Sequence, residues 1–131
     1  MNGQKVVLDA SAILAFFFRE PGGEVVEHYL EIGEAMVSTV NVSEVLAKQQ
    51  ELQMPYEQTL SYLLLLGIQI VDFTTDMAVS AASLRSATKS LGLSFGDRAC
   101  LALGQKQSGL VLTADRSWAE LDTGVEVVVI R

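Results

Sequence analysis

Apolar residues along this chain follow two rhythms. Short apolar stretches, Val6-Val7-Leu8, Ala35 to Ser38, Leu110-Val111-Leu112 and the valine-rich 125–130, read as strands buried on both faces. Ile68-Gln69-Ile70-Val71 reads as a further strand. Between them the apolar positions recur at helical spacing. Ser11 is placed to cap a helix starting near Ala12, and Pro21-Gly22-Gly23 breaks it. The spacing predicts further helices over 23–31, 42–53 and 55–66, the last with Pro55 in its first turn. Thr75 is the expected cap of a long helix reaching about Leu91, where Gly92 stops it. Another helix is predicted over 95–108, ending at Gly109, and one short helical turn over 117–121.

Strands that alternate with helices imply a mainly parallel sheet of about five strands with helices on both faces. No repeat or linker-like tract interrupts the 131 residues, so one α/β domain in three layers is expected over 1–131.

Composition adjusts this picture little. Half the residues are hydrophobic, enough for a core without disulfides or structural metals. The mean hydropathy of +0.33 is high, yet the longest uncharged apolar stretch, 60–71, falls short of the about 20 residues a bilayer requires. The N-terminal apolar region imitates a secretion signal. However, Asp9 interrupts it, and Arg19-Glu20-Pro21 stands where a small-residue cleavage site would lie. A cytoplasmic protein is expected, in keeping with the lone Cys100, read as a small buried residue. The net charge of −7 counts against a nucleic-acid partner. Assigning four acids to one metal site leaves −7 + 4 = −3 and weakens that objection.

Those four acids are Asp9 after the first strand, Glu44 in the first turn of a helix, Asp97 at the start of another, and Asp115 just past the fourth strand. In a parallel α/β fold, strand C-termini and the following helix N-termini share one edge, where ligands bind. Carboxylates gathered there repel one another unless a hard cation offsets them, and Mg²⁺ or Mn²⁺ needs only oxygen ligands. Such ions activate water against phosphodiesters. The hydroxyls of Ser11 and Thr113 are supporting candidates, and Arg98, Arg116 and Lys48 are possible phosphate contacts. Each acid has a plainer reading. Asp9 and Asp97 stand where helix caps occur, Asn41-x-x-Glu44 resembles a capping box, and Asp115 suits a turn. Only the joint pattern favours a site. Asp72 and Asp76 read as solvent or capping groups, Glu24, Glu27, Glu31 and Glu34 as a solvated face, and His28 as a surface residue. Trp118 and Phe16-Phe17-Phe18 read as core or interface. The apolar excess of Phe16 to Phe18 and of the helix over 60–66 suggests that one of them meets a partner.

Four segments together resemble the PIN-domain family, especially the VapC-like toxins of prokaryotic toxin–antitoxin pairs. They are Val7-Leu8-Asp9-Ala10-Ser11-Ala12, Ser43-Glu44-Val45, Gly92-Leu93-Ser94-Phe95-Gly96-Asp97-Arg98-Ala99-Cys100-Leu101-Ala102-Leu103-Gly104 and Leu112-Thr113-Ala114-Asp115-Arg116-Ser117-Trp118. They keep family order over nearly the whole chain. The resemblance implies a PIN-like fold, Mg²⁺- or Mn²⁺-dependent endoribonuclease activity on an RNA substrate, a homodimer, and a cognate antitoxin that blocks the site. It makes Asp9, Glu44, Asp97 and Asp115 the metal-binding acids, with Ser11 and Thr113 at supporting positions. Three rivals remain. A haloacid-dehalogenase-type phosphatase places a second acid two positions after its first, where this chain has Ser11. A receiver-type phosphoacceptor begins with an adjacent acidic pair, which is absent here. The third rival is a non-catalytic binding protein that keeps the fold.

Overall fold

The computed structural model describes residues 3–131. Five strands form one sheet: β1 (Lys5–Leu8), β2 (Glu34–Ser38), β3 (Gln69–Val71), β4 (Leu110–Thr113) and β5 (Glu126–Val129). Six α-helices connect them: α1 (Ala10–Phe17), α2 (Gly23–Ile32), α3 (Thr39–Glu51), α4 (Tyr56–Leu65), α5 (Thr75–Thr88) and α6 (Phe95–Gln107). Across the sheet the strands lie in the order β3-β2-β1-β4-β5, and every pairing is parallel.

The predicted strands and helices are all present, with ends displaced by at most three residues. The largest displacement is at α3. It begins at Thr39 because Ser38, the last residue of β2, accepts from the Val40 N–H at 3.1 Å and supplies the cap directly. The predicted long helix ends in two pieces, α5 and a 3-10 turn over Lys89–Leu91, before Gly92 adopts φ +66°. Thr74 rather than Thr75 caps α5.

Alternation along the central strands divides the core into two layers. Val6, Leu8, Ala35, Val37, Leu110 and Leu112 pack against α1 to α4. Val7, Met36 and Val111 face the other way, onto α5, α6 and Trp118. Trp118 lies in a 3-10 turn (Arg116–Glu120) and is fully buried, as is Cys100 on α6. Removing the indole leaves a cavity under the loop that carries Asp115. Trp118→Ala is therefore expected to cost about 3–5 kcal/mol in a denaturant titration. A loss below about 1 kcal/mol would mean that the layer collapses around the gap.

The order of strands sets the location of any site. The chain winds outward from β1 to β3 in one direction and from β4 to β5 in the other, so the sequence of strands reverses between β1 and β4. At such a reversal the following helices depart to opposite faces and leave a crevice above the strand ends. Asp9 directly follows β1, and Thr113 ends β4.

Candidate active site

Asp9 has an extended backbone and is only 5% exposed. Its backbone N–H donates to Leu112 O on the neighbouring strand at 3.1 Å. Its carboxylate caps α1 through the Ala12 N–H, at 2.9 Å from Oδ1. This corrects the expectation that Ser11 is the cap. Ser11 instead lies in the first turn and donates to Asp9 Oδ1 at 2.6 Å. The Thr113 hydroxyl, fully buried, donates to Asp9 Oδ2 at 2.8 Å. The network crosses the switch point: Ala114 N–H donates to Ser11 Oγ at 2.9 Å, and Asp115 N–H to Thr113 Oγ1 at 3.1 Å. Ser11 and Thr113 thus tie the end of β1 to the end of β4 through one carboxylate.

Burial pushes the Asp9 carboxyl from its ordinary 3.8 up to about 6, against the lowering effect of the bonds from Ser11, Ala12 and Thr113, and the charge on Asp97 pushes in the same upward direction. Among the described residues, no lysine, arginine or histidine forms an ion pair with Asp9, Glu44, Asp97 or Asp115.

Asp97 is the third residue of α6. Its Oδ2 accepts from Ser94 N–H at 2.9 Å while Ser94 Oγ accepts from Asp97 N–H at 3.2 Å, a reciprocal capping box. The capping box expected at Asn41-x-x-Glu44 is therefore found at Ser94-x-x-Asp97. Asn41 and Glu44 both lie inside α3, one turn apart. Asn41 Nδ2 donates to Glu44 Oε1 at 2.7 Å and to Gly96 O at 3.1 Å, which fastens α3 to the start of α6. A methyl group on Gly96 would stand 2.6 Å from the Glu44 carboxyl carbon, so glycine here leaves the space that the Glu44 carboxylate occupies.

Asp9, Asp97 and Glu44 form one electrostatic neighbourhood. The thiol of Cys100, buried beneath them, is raised well above its ordinary value by burial first, then by Asp9, Asp97 and Glu44 in turn. Asp115 lies on the same edge but faces its own turn, where its Oδ1 accepts from Ser117 N–H at 3.0 Å and Ser117 Oγ at 2.8 Å. Among the described residues, no three Asp, Glu, His or Cys side chains are drawn together tightly enough to enclose an ion as they stand. The donor set is nevertheless all oxygen, and Asp9 is an ionisable group with no counter-charge. Asn41 Oδ1 is a further buried oxygen with no partner. This suits a hard cation that keeps much of its water and takes only one or two carboxylates directly.

The basic candidates are placed less favourably. Arg98 turns into the seam between α5 and α6, where Nη1 donates to Ala81 O at 3.1 Å, so it fastens helices together. Arg116 Nε donates to Arg131 O at 3.0 Å, and Lys48 stands 3.6 Å from Glu51 in the last turn of α3. His28, Asp72 and Asp76 are exposed, and none of them bonds to the four acids. Asn41 and Gly96 are further residues of this edge that were not among the sequence candidates. The signal was present: Asn41 precedes Glu44 by one helical turn, and Gly96 adjoins Asp97.

A cleft of about 690 Å³ lies elsewhere, between α1, α2, α4 and the end of α3. Phe16, Phe17, Met54 and Tyr62 line it, with Glu20, Glu24 and Glu27 among its polar residues. On α4, Leu63 is buried, whereas Leu64 and Leu65 are 64% and 85% exposed. No helix among the described residues is long and apolar enough to cross a membrane.

Comparison with solved structures agrees with this topology. A toxin–antitoxin complex from Klebsiella pneumoniae is similar over 94% of this chain and 95% of its own, with a TM-score of 0.73 and 21% identity. VapBC-1 from nontypeable Haemophilus influenzae matches at a TM-score of 0.69 and 16% identity, over 95% of this chain and 96% of its own. FitAcB from Neisseria gonorrhoeae matches at 0.64 and 23%, over 93% and 95%. No curated protein matches the chain in sequence. The likeness to these structures is one of fold. The model of the PIN domain matches residues 6–124, from the first strand through the turn that carries Asp115, and the chain belongs to that family.

Proposed function

We propose that this protein is a Mg²⁺- or Mn²⁺-dependent endoribonuclease and the toxin of a toxin–antitoxin pair. The observation that carries the reading is the Asp9 carboxylate, buried at the reversal of strand order, raised to about 6, and without a cationic partner. A structural cap is not expected to need such a position, whereas a cation-binding carboxylate is. Asp9, Asp97, Glu44 and Asp115 are the acids assigned to the ion. When bound, the ion supplies charge neutralisation at the scissile phosphodiester and makes water a competent nucleophile near neutral pH.

The chain's own groups set the geometry. Ser11 and Thr113 hold both oxygens of Asp9 in one orientation, and the Asp115 N–H fixes Thr113 in turn. Glu44 is exposed, with Oε1 held by Asn41, which leaves Oε2 to accept a hydrogen bond from the attacking water. Glu44 and Asp115 are exposed on this edge, as access by an extended chain of nucleotides requires.

The test is cleavage of pooled cellular RNA by purified protein, with and without a chelator, beside Asp97→Asn. The variant's amide oxygen still accepts from Ser94 N–H, so the helix start is kept. Its rate is expected to fall by more than the about 10- to 100-fold that loss of a ligand-orienting group costs. Cleavage that persists in chelator, or equally in Asp97→Asn, would overturn the reading.

An antitoxin segment and a second copy of the chain are the proposed partners. The aromatic cleft of Phe16, Phe17 and Tyr62, with its acidic surroundings, suits a segment that is both apolar and basic. Leu64 and Leu65 offer the apolar face for the second copy.

A further inference from the structure

An aromatic side chain stands exposed beside the acids with no role in the core. Phe95 is the first residue of α6, two positions before Asp97, and is 49% exposed. Its ring is braced rather than loose. Phe73 packs against it in a perpendicular arrangement, with centroids 5.4 Å apart and planes at 89°. The Arg98 guanidinium lies 6.0 Å from the ring centroid, held by its bond to Ala81 O. Phe73 is itself pinned, because its N–H donates to Thr39 Oγ1 at 3.1 Å, in the first turn of the helix that carries Glu44. The elements that present the acids therefore also hold this ring.

Exposed phenyl surface is costly in water, and here it is fixed at the start of the helix that carries Asp97. A nucleobase is the flat, apolar-faced group that such a surface accepts, and stacking makes no demand on base identity. The charge balance sharpens the argument. The chain carries −7, Arg98 is turned into a helix seam, and Arg116 and Lys48 each have one surface contact, to Arg131 O and Glu51. With a net charge of −7 and Arg98 committed to a helix seam, contacts that do not depend on charge gain weight in holding a substrate.

We propose that Phe95 is a stacking platform for one unpaired nucleobase next to the scissile phosphodiester, and that it supplies a large share of substrate affinity. This rests on the nuclease reading above. It requires a single-stranded substrate at that position, because a paired base has no free face to offer. It also implies a shallow dependence of KM on salt, since few phosphate contacts displace counterions.

The experiment compares the parent, Phe95→Leu and Phe95→Trp on a mixed-sequence single-stranded RNA oligonucleotide with Mn²⁺. Phe95→Leu keeps an apolar side chain and removes the plane. KM is expected to rise about tenfold, within the range of about 5- to 150-fold that loss of one stacked base implies. kcat and the melting temperature should stay near the parent's, and Phe95→Trp should restore KM. An abasic nucleotide moved stepwise through the oligonucleotide should reveal one position at which Phe95→Leu no longer has any effect. A parent that cleaves RNA while Phe95→Leu retains the parent's KM overturns the platform alone. A change confined to kcat, or a failure of Phe95→Trp to rescue, also overturns it. A parent that cleaves no RNA overturns the nuclease reading and the platform with it.

Discussion

Asp9→Asn is expected to make the metal-free protein more stable at neutral pH while abolishing RNA cleavage. The fold holds this carboxyl at about 6 against an ordinary 3.8, so near neutrality it keeps a buried group ionised at a cost of about 3 kcal/mol. The sign follows from the direction of the shift. A carboxyl whose folded pKa is raised favours the folded state only while protonated. Its contribution is complete below the unfolded value of 3.8 and is lost as pH rises through about 6. The asparagine variant lacks this slope. Its advantage over the parent should be absent in acid, open across that interval, and level off above it.

The hydrogen bonds tolerate the exchange. The amide oxygen can accept from Ser11 and Ala12 as Oδ1 does, and the amide N–H₂ can donate to Thr113 Oγ1. The Thr113 proton is then free to turn to Ser11 Oγ, 3.4 Å away. Thermal melts in chelator across this pH range check the prediction, with a gain of several degrees expected near neutrality. Mn²⁺ should raise the parent's melting temperature and leave that of Asp9→Asn in place. A variant less stable than the parent at every pH would show that Asp9 is above all a helix cap, and would remove the main support for an ion at this edge.

Gly96→Ala is the second change with a large expected effect, and it acts on function rather than folding. The new methyl carbon would meet the Glu44 carboxyl at 2.6 Å, a contact that real side chains do not make. The backbone cannot yield easily, because Gly96 is buried and its carbonyl accepts from Asn41. Glu44, at the end of a flexible and exposed side chain, is the group that moves, and it takes its bond to Asn41 with it. Stability should change by less than about 1 kcal/mol, since alanine also favours the helix. Cleavage should fall about a hundredfold, the scale on which a misplacement of about 1 Å acts. Single-turnover rates beside a denaturant titration separate the two effects. Unchanged cleavage would mean that Glu44 has no part in the chemistry. A collapse of stability would mean that the contact between α3 and α6 is structural alone.

Much of the fold was legible because the two periodicities seldom conflict. Val6-Val7-Leu8 and Leu110-Val111-Leu112 are too short and too apolar for anything but strands of a sheet covered on both faces, and both are fully or almost fully buried. The ends of helices were less legible, because a cap depends on which of two or three neighbouring polar residues reaches the N–H groups. Ser38 outcompeted the residues after it, and Asp9 outcompeted Ser11. In the second case the carboxylate satisfies the helix, while the serine hydroxyl is directed to the adjoining strand end.

The sequence by itself determined that strands and helices alternate, that acids follow the first and fourth strands, and that Asp97 opens a helix, whereas Glu44, expected in a first turn, lies in the second turn of α3 because that helix starts at Thr39. Local pattern decides these because each depends on neighbours a few residues away. Only the tertiary structure decided that β1 and β4 lie side by side, so that Asp9 and Thr113 share a hydrogen bond across 104 positions of chain. It likewise decided that Arg98 fastens two helices, and that Phe95 stands open beside Asp97. Such features depend on which element packs against which, and no spacing along a chain encodes the direction in which a side chain finds its partner.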